Sequence, residues 1–418
     1  MNTRTVSSVV NRLDWTLITS YILLMLIGWI TIYSAAYNPE KPNIFDFSMT
    51  YGKQFVWMIV SLFLAFIIIN ASSKIFSVFA YFYFFLTILM LILVFFFAKE
   101  VNGAKAWIDL GFFRLQPSEF AKLSTALVLS QFISELDSNL SNPKNLLLGI
   151  GICILPMGLV LAQHDMGSAL VFLSFFFLLN RFGMSNYIIF AGFFLIIISI
   201  LSLVLPPFVL IGIMFLLVLI FVFLNRNNRD INQIFTVGVI AILFVGVYSY
   251  SIDFVVKKLD RHQQDRINVL LGKGGNDWNV RQSKIAIGAG QIFGKGFKKG
   301  TQSKGNFLPA KDTDFIFCTI GEEWGFIGSV LVIGLMVFIM LRILYLAEKQ
   351  KSKFAKVYGY AIVCILMIHY LINIGMTLGL VPVIGIPLPA LSYGGSSLIS
   401  FTVMIFAFIR MDSEKWIY

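Results

Sequence analysis

Four carboxylates lie in one stretch of the C-terminal half, residues 306–328. Asp312 and Asp314 stand where a long basic loop meets an apolar run, and Glu322 and Glu323 fall inside that run. Carboxylates are costly to place at membrane depth, so by default they mark a functional site, where a carboxylate can act as a general base. The alternative is that Asp312 and Asp314 only cap a helix, since acidic residues favour a helix N-terminus. The stretch by itself leaves both interpretations open.

The composition predicts a protein that crosses a membrane many times. Of the 418 residues, 58% are hydrophobic and 13% are charged, and the mean hydropathy is +0.85, whereas a soluble domain is about 25% charged. The first apolar run follows Arg4 and Arg12 and is long enough to remain as a span, which argues against a cleaved signal peptide. The net charge of +11 favours anionic lipid or an anionic substrate and argues against nucleic acid.

The three cysteines and three histidines predict neither a disulfide framework nor a zinc site. The cysteines all lie inside apolar runs, and the histidines are far apart in sequence. The sequence leaves the cofactor unknown, a divalent cation included.

Twelve apolar runs predict an all-α polytopic membrane protein of about 10–12 transmembrane helices, a single membrane domain over residues 1–418. Most runs have the length that crosses a bilayer. They are 16–37, 52–70, 75–98, 117–134, 145–162, 167–180, 186–205, 207–224, 233–252, 314–346, 356–380 and 393–410.

The short loops rich in Lys and Arg predict that both termini are cytoplasmic. The external side then carries one large loop, residues 253–313, with twelve Lys or Arg and five Asp. A loop of about 60 residues translocates largely regardless of its charge. Its cations, Lys284 and Lys295 among them, and its glycines suit an anionic pyrophosphate. The alternative is a solvated loop attracted to anionic headgroups.

Four segments on the predicted external side carry a family resemblance. They are residues 102–122, 163–170, 281–302 running on into 306–328, and 373–397. Together they closely resemble the SEDS family (shape, elongation, division and sporulation), and the resemblance extends from the first predicted span to the last.

The resemblance implies a peptidoglycan glycosyltransferase. Such proteins polymerise lipid II, an undecaprenyl-pyrophosphate-linked disaccharide-pentapeptide, into glycan strands on the outer face of the cytoplasmic (inner) membrane during cell elongation. The implied partner is a class B penicillin-binding protein, a transpeptidase. The alternatives are a lipid II transporter (flippase) and a non-catalytic scaffold for the transpeptidase.

The resemblance also implies roles for single residues. Asp314 matches the essential acidic residue of a Thr-Asp-Phe motif, and is the expected catalytic base that takes a proton from the acceptor hydroxyl. Glu119 and Lys122 are three apart on one helical face behind Pro117, so they form a simple ion pair or line the substrate cavity. Asp165 caps a helix or forms a wall of the same cavity.

Trp107 matches a loop tryptophan of the family, which stacks on a sugar face or anchors at the membrane interface. Four residues depart from the family pattern: Ala106, His164, Ala310 and Asp312. Asp312 is an alternative base, although in a helix it would point about 200° away from Asp314.

The number of apolar runs is a further departure. A family member normally has ten spans, whereas this sequence has twelve apolar runs. The surplus predicts an extra transmembrane hairpin within residues 186–252.

Overall fold

The fold is almost entirely helical. The computed structural model describes residues 11–37, 43–101, 104–109, 111, 114–135, 140–225, 231–258, 264, 268, 271, 278–305, 307–308 and 310–415. Within these residues, ten helices are long and apolar enough to cross a membrane. The prediction of an all-α polytopic membrane protein is therefore confirmed.

The elements follow one another along the chain in an order that alternates long helices with short connections. They are α1 (Trp15–Ala36), α2 (Thr50–Asn70), α3 (Lys74–Val78), α4 (Ala80–Phe97), β1 (Lys99–Val101), β2 (Ala104–Asp109), β3 (Arg114–Leu115), α5 (Pro117–Glu135), α6 (Pro143–Ala162), α7 (Met166–Phe172), α8 (Ser174–Arg181), α9 (Asn186–Val204), α10 (Pro207–Leu224), α11 (Ile231–Lys258), α12 (Trp278–Ala289), α13 (Ile316–Glu348), α14 (Lys353–Thr377) and α15 (Gly395–Glu414).

Two of the twelve apolar runs are not among the ten candidate spans. The run at 117–134 is α5, a buried helix that carries Glu119 and Lys122. The run at 167–180 is divided at Leu173 into the two short helices α7 and α8.

The chain forms two compact units, Met1–Met184 with Trp278–Tyr418, and Ser185–Asp277. In the first unit α15 is the least apolar of the spans and the most buried. In the second unit α10 is the most apolar span and the least buried. This relation is expected in lipid, where an apolar surface is favoured outside and polar side chains are kept among the helices.

The second unit consists of α9, α10 and α11, which pack on one another. It contains residues 186–252, so the extra hairpin stays a prediction for this part of the chain. α11 continues to Lys258, and the external position of the loop over residues 253–313 stays a prediction. The glycine cluster at 272–275 lies outside the described residues.

A three-stranded antiparallel sheet of order β1-β2-β3 precedes α5. Lys99 pairs with Trp107, and Ile108 pairs with Leu115. The sequence predicted an external segment over residues 102–122 and no strand. The sheet leads the chain directly into Pro117, the first residue of α5, as its missing N–H favours.

The apolar run at 314–346 predicted a single span. The helix that forms there, α13, is not continuous. Gly325 has φ 66° and ψ −162° and interrupts it. The amides after the break donate to a neighbouring loop, Phe326 N–H to the Gln291 carbonyl (2.9 Å) and Ile327 N–H to Ile292 (3.1 Å). Non-helical backbone at membrane depth is tolerated only where the protein satisfies it in this way.

We expect Gly325→Ala to destabilise the protein by on the order of 2–3 kcal/mol. A Cβ at this position would lie 2.3 Å from the Gly294 nitrogen, and the backbone conformation favours glycine. Gly334 in the same helix is the matched control, because a Cβ there meets nothing within 4 Å among the described residues. Thermal unfolding in detergent should show a lower melting temperature for Gly325→Ala and little change for Gly334→Ala. Equal melting temperatures of the two variants would show that the break at Gly325 does not require glycine.

Candidate active site

The two aspartates of the opening stretch lie in a turn, residues 310–315, that precedes α13. Ala310 has φ 52°, and its carbonyl accepts the Phe315 N–H at 3.1 Å. Phe315 occupies the N-cap position of α13. Asp312 and Asp314 are therefore half-buried turn residues, and the separation of 200° calculated for a helix does not apply to them.

Three consecutive carbonyls of this turn are held by the C-terminal part of the chain. The bonds are Tyr393 N–H to Asp312 (2.8 Å), Ser392 Oγ to Thr313 (2.7 Å) and Asn373 Nδ2 to Asp314 (2.8 Å). The fourth family-like segment thus fixes the backbone of the aspartates.

The Asp314 carboxylate lies close to the backbone of a neighbouring loop. A Cβ on Gly385, which has φ 80°, would lie 3.3 Å from Asp314 Oδ2. The carbonyl of Gly385 in turn approaches α7, where a Cβ on Gly167 would lie 3.0 Å from it. Three of the four family-like segments therefore meet at Gly385.

Asp165 has the first of the two roles that the sequence left open, that of a helix cap, and its role as a cavity wall stays a prediction. Its Oδ1 caps α7 by accepting the Ser168 N–H at 2.9 Å. Its Oδ2 accepts a hydrogen bond from Gln116 Nε2 at 3.0 Å. The carboxylate therefore joins α7 to the residue that precedes α5.

A buried charged pair lies on α5. Lys122 Nζ is 2.7 Å from Glu119 Oε1, and both side chains are 1% exposed. Lys122 Nζ is also 3.0 Å from His369 Nε2 on α14, and the His369 ring packs edge-on against Phe401. The ion pair expected from the i, i+3 spacing is present, and it extends to a histidine.

Sequence reasoning missed His369 and Asn373 as site residues. They are four apart on α14, so they share one face of the helix. Polar residues with this spacing inside an apolar span were the signal that could have found them.

The basic loop binds a carboxylate of the chain itself. Glu322 is fully buried, and its oxygens accept hydrogen bonds from the loop. The donors are Thr301 N–H (2.7 Å), Thr301 Oγ1 (3.0 Å), Gln302 N–H (2.9 Å), Ser303 N–H (2.9 Å) and Lys295 Nζ (3.0 Å). These groups resemble the backbone cradle expected for a pyrophosphate, but here they stabilise the loop.

The two lysines proposed for substrate binding differ in their surroundings. Lys295 forms an ion pair with Glu322, which gives it a structural role. Lys284 is exposed on α12 and lies against Gly379, where a Cβ would be 2.5 Å from Lys284 Cε. Substrate binding stays a prediction for both.

We expect Lys295→Met to loosen the loop because it removes the only cation paired with Glu322 in the described part of the chain. Lys299→Met, at an exposed position of the same loop, is the matched control. Chymotrypsin cleavage after Phe297 or Phe307 should be about tenfold faster in Lys295→Met, as expected for the loss of about 1.4 kcal/mol of a charged hydrogen bond. Equal cleavage of the two variants would show that the backbone amides suffice.

Two titratable neighbours of Asp312 are perturbed. Burial lowers the pKa of Lys311, and the nearby Asp312 opposes that shift. Burial also raises the pKa of Tyr393, with a smaller contribution from Asp312. Asp312 thus lies near a lysine and a tyrosine, and the Asp314 carboxylate lies near Gly385.

Trp107 is half-buried in β2, and sugar stacking stays a prediction. Ala106, one of the four residues that depart from the family pattern, is buried beside it. In the described residues, no group of three or more His, Cys, Asp or Glu side chains is placed to hold a metal ion.

The chain is similar to known proteins over nearly its whole length. The model of the FtsW/RodA/SpoVE family, described as "Cell cycle protein", matches residues 14–211 and 206–415. The peptidoglycan glycosyltransferase RodA of Treponema pallidum (strain Nichols) is 32% identical over 95% of this chain and 96% of its own. The peptidoglycan glycosyltransferase MrdB of Escherichia coli (strain K12) is 34% identical over 71% of this chain and 68% of its own.

Solved structures share the fold. A chain from "Structural coordination of polymerization and crosslinking by a peptidoglycan synthase complex" has a TM-score of 0.72 and 24% identity, covering 97% of this chain and 98% of its own. The rod shape determining protein RodA of Thermus thermophilus has a TM-score of 0.62 and 23% identity, with the same coverage.

The fourth segment distinguishes two branches of these relatives. Its form Ile384-Gly-Ile-Pro-Leu-Pro predicts greater similarity to the rod-shape-determining protein RodA than to the division protein FtsW. The prediction is confirmed, since RodA of T. pallidum is 32% identical, whereas the probable FtsW of Haemophilus influenzae is 28% identical.

Proposed function

The chain belongs to the FtsW/RodA/SpoVE family, the SEDS family that its sequence resembles. We propose that it is a peptidoglycan glycosyltransferase. It polymerises lipid II into glycan strands on the outer face of the inner membrane during cell elongation. The support is the activity named for relatives that cover most of the chain. The observation that carries the proposal is the position of Asp314, whose main-chain carbonyl accepts a hydrogen bond from Asn373 and whose carboxylate lies near Gly385, where three family-like segments meet.

Asp314 is the general base of the proposed reaction. The acceptor sugar hydroxyl attacks the anomeric carbon of the donor sugar, and the bond from that carbon to the pyrophosphate oxygen breaks. The hydroxyl proton passes to the Asp314 carboxylate, and the lipid pyrophosphate leaves as an anion. A base needs a fixed position near the hydroxyl, and the hydrogen bond from Asn373 to the main-chain carbonyl holds the backbone of Asp314.

The other site residues bind or orient the substrate in this proposal. Lys122, which forms a buried ion pair with Glu119, is the cation assigned to the anionic substrate. Asp165, bonded to Gln116, forms a hydrogen-bonding wall. Trp107 offers a ring to a sugar, and Lys284 an exposed ammonium beside Gly379.

The proposal extends to location and partner. The protein is multi-pass in the inner membrane with both termini cytoplasmic, as the charge of its short loops favours. Its partner is a class B penicillin-binding protein that cross-links the new strands. The support for the partner is a solved chain of similar fold that comes from a complex coordinating polymerization and crosslinking.

The test is polymerisation of lipid II by the purified full-length protein, with and without the transpeptidase. We expect glycan strands that grow with time and are digested by a muramidase. A second readout, lipid II translocation across vesicles containing the protein, separates the alternatives. Translocation without strands would identify a transporter, and neither activity in well-folded protein with its partner would identify a scaffold.

A further inference from the structure

His369 connects two parts of the site that come from distant regions of the sequence. It is fully buried on α14. Its Nε2 lies 3.0 Å from Lys122 Nζ on α5, and its Nδ1 lies 3.0 Å from the Pro387 carbonyl oxygen. The ring thus lies between the buried ion pair and the loop that contains Gly385.

The chemistry of the two partners fixes the tautomer of His369. A lysine ammonium only donates hydrogen bonds, so Nε2 must accept and carries no proton. A carbonyl oxygen only accepts, so Nδ1 must carry the proton and donate it to Pro387. One form meets both conditions, the neutral imidazole protonated on Nδ1.

The next turn of α14 repeats this connection. Asn373 donates from Nδ2 to the Ile386 carbonyl at 2.6 Å and to the Asp314 carbonyl at 2.8 Å. The adjacent carbonyls of Ile386 and Pro387 are therefore both held from one face of α14. Since Gly385 packs on the Asp314 carboxylate, a shift of this loop would move the surroundings of the base.

We propose that His369 is a positioning residue, whose neutral ring holds Lys122 on one side and the 385–387 loop beside Asp314 on the other. This role rests on the proposed glycosyltransferase function, because it assigns the two sides of the ring to substrate binding and to proton transfer. His369 itself takes no proton from the substrate.

The tautomer can be measured in the wild-type full-length protein, independently of activity. The sequence has three histidines, so selective ¹⁵N-histidine labelling gives three rings, and His369→Gln identifies the signals of His369. We expect one-bond coupling of a proton to Nδ1 and none to Nε2 from about pH 6 to pH 8, the range in which histidines usually titrate. A proton on Nε2, or on both nitrogens, would overturn the proposal.

Two substitutions separate the two sides of the ring. Asn at 369 retains an amide donor near the Nδ1 position but removes the acceptor for Lys122. Gln at 369 extends a carbonyl toward the Nε2 position but removes the donor to Pro387. We expect KM to rise about tenfold in His369→Asn, as for loss of one charged hydrogen bond, with kcat nearly unchanged. We expect kcat to fall about ten- to a hundredfold in His369→Gln, as for a misplaced base, with KM nearly unchanged.

The control is Cys364→Ala, a buried change on the same helix, with kcat and KM as in wild type. If KM and kcat change in parallel with the melting temperature in both variants, His369 only stabilises the fold and the proposal is wrong. Wild-type values in both variants would also overturn it. If the variants do not fold, the tautomer of the wild-type protein decides. If wild type makes no strands, the proposed function fails, and the tautomer measurement still reports on the connection.

Discussion

Asp314→Asn is expected to lower kcat for lipid II polymerisation by about 10²- to 10⁴-fold, the usual contribution of a general base. The amide has nearly the shape of the carboxylate but cannot take the acceptor proton. The Asn373 bond reaches the main-chain carbonyl of Asp314, so the substitution leaves it in place. KM should therefore change little. Rates of strand formation at several lipid II concentrations measure both constants.

Asp312→Asn is the matched control, since it is the same substitution in the same turn. Asp312 lies beside Lys311 and Tyr393, so we expect the Asp312→Asn variant to retain most of the activity. Loss only in Asp312→Asn would assign the base to that residue. Equal losses in both variants, with lower melting temperatures, would show that the turn has been disrupted and that neither carboxylate is identified as the base.

The sequence predicted the spans well because lipid imposes a simple rule on them. A run of about 20 apolar residues is long enough to cross, and the ten spans coincide with such runs. The break at Gly325 was not predictable in this way, because the hydrogen-bond acceptors that make it tolerable lie in another part of the chain. The carbonyls of Gln291 and Ile292, more than thirty residues earlier, satisfy the amides after it.

The candidate site was predictable only where its contacts are local. The Glu119–Lys122 pair follows from a spacing of three on a helix. The contact from Lys122 to His369 spans 247 residues, and no local pattern indicates it. The basic loop was expected to hold an external anion. In the structure, the loop amides donate hydrogen bonds to the Glu322 carboxylate. Charge and glycine content indicate an anion site but not which anion occupies it.

Lys122→Met is expected to destabilise the protein by about 3–5 kcal/mol, the usual consequence of leaving a buried charge without its partner. Glu119 is 1% exposed, and among the described residues its Oε2 has no hydrogen-bond partner, so Lys122 is its principal compensation. The matched control is Arg181→Met, which breaks the exposed Arg181–Glu348 pair and should cost at most about 1 kcal/mol. Melting temperatures in detergent compare the two variants.

The double variant Glu119→Gln/Lys122→Met distinguishes stability from function. Removing both charges removes the buried carboxylate along with its partner, so most of the lost stability should return. Polymerisation should not return with it, because the cavity has lost the cation assigned to the anionic substrate and His369 has lost the donor to its Nε2. A stable double variant with wild-type kcat and KM would show that the pair only supports the fold. A single Lys122→Met variant as stable as wild type would show that Glu119 does not need a charged partner.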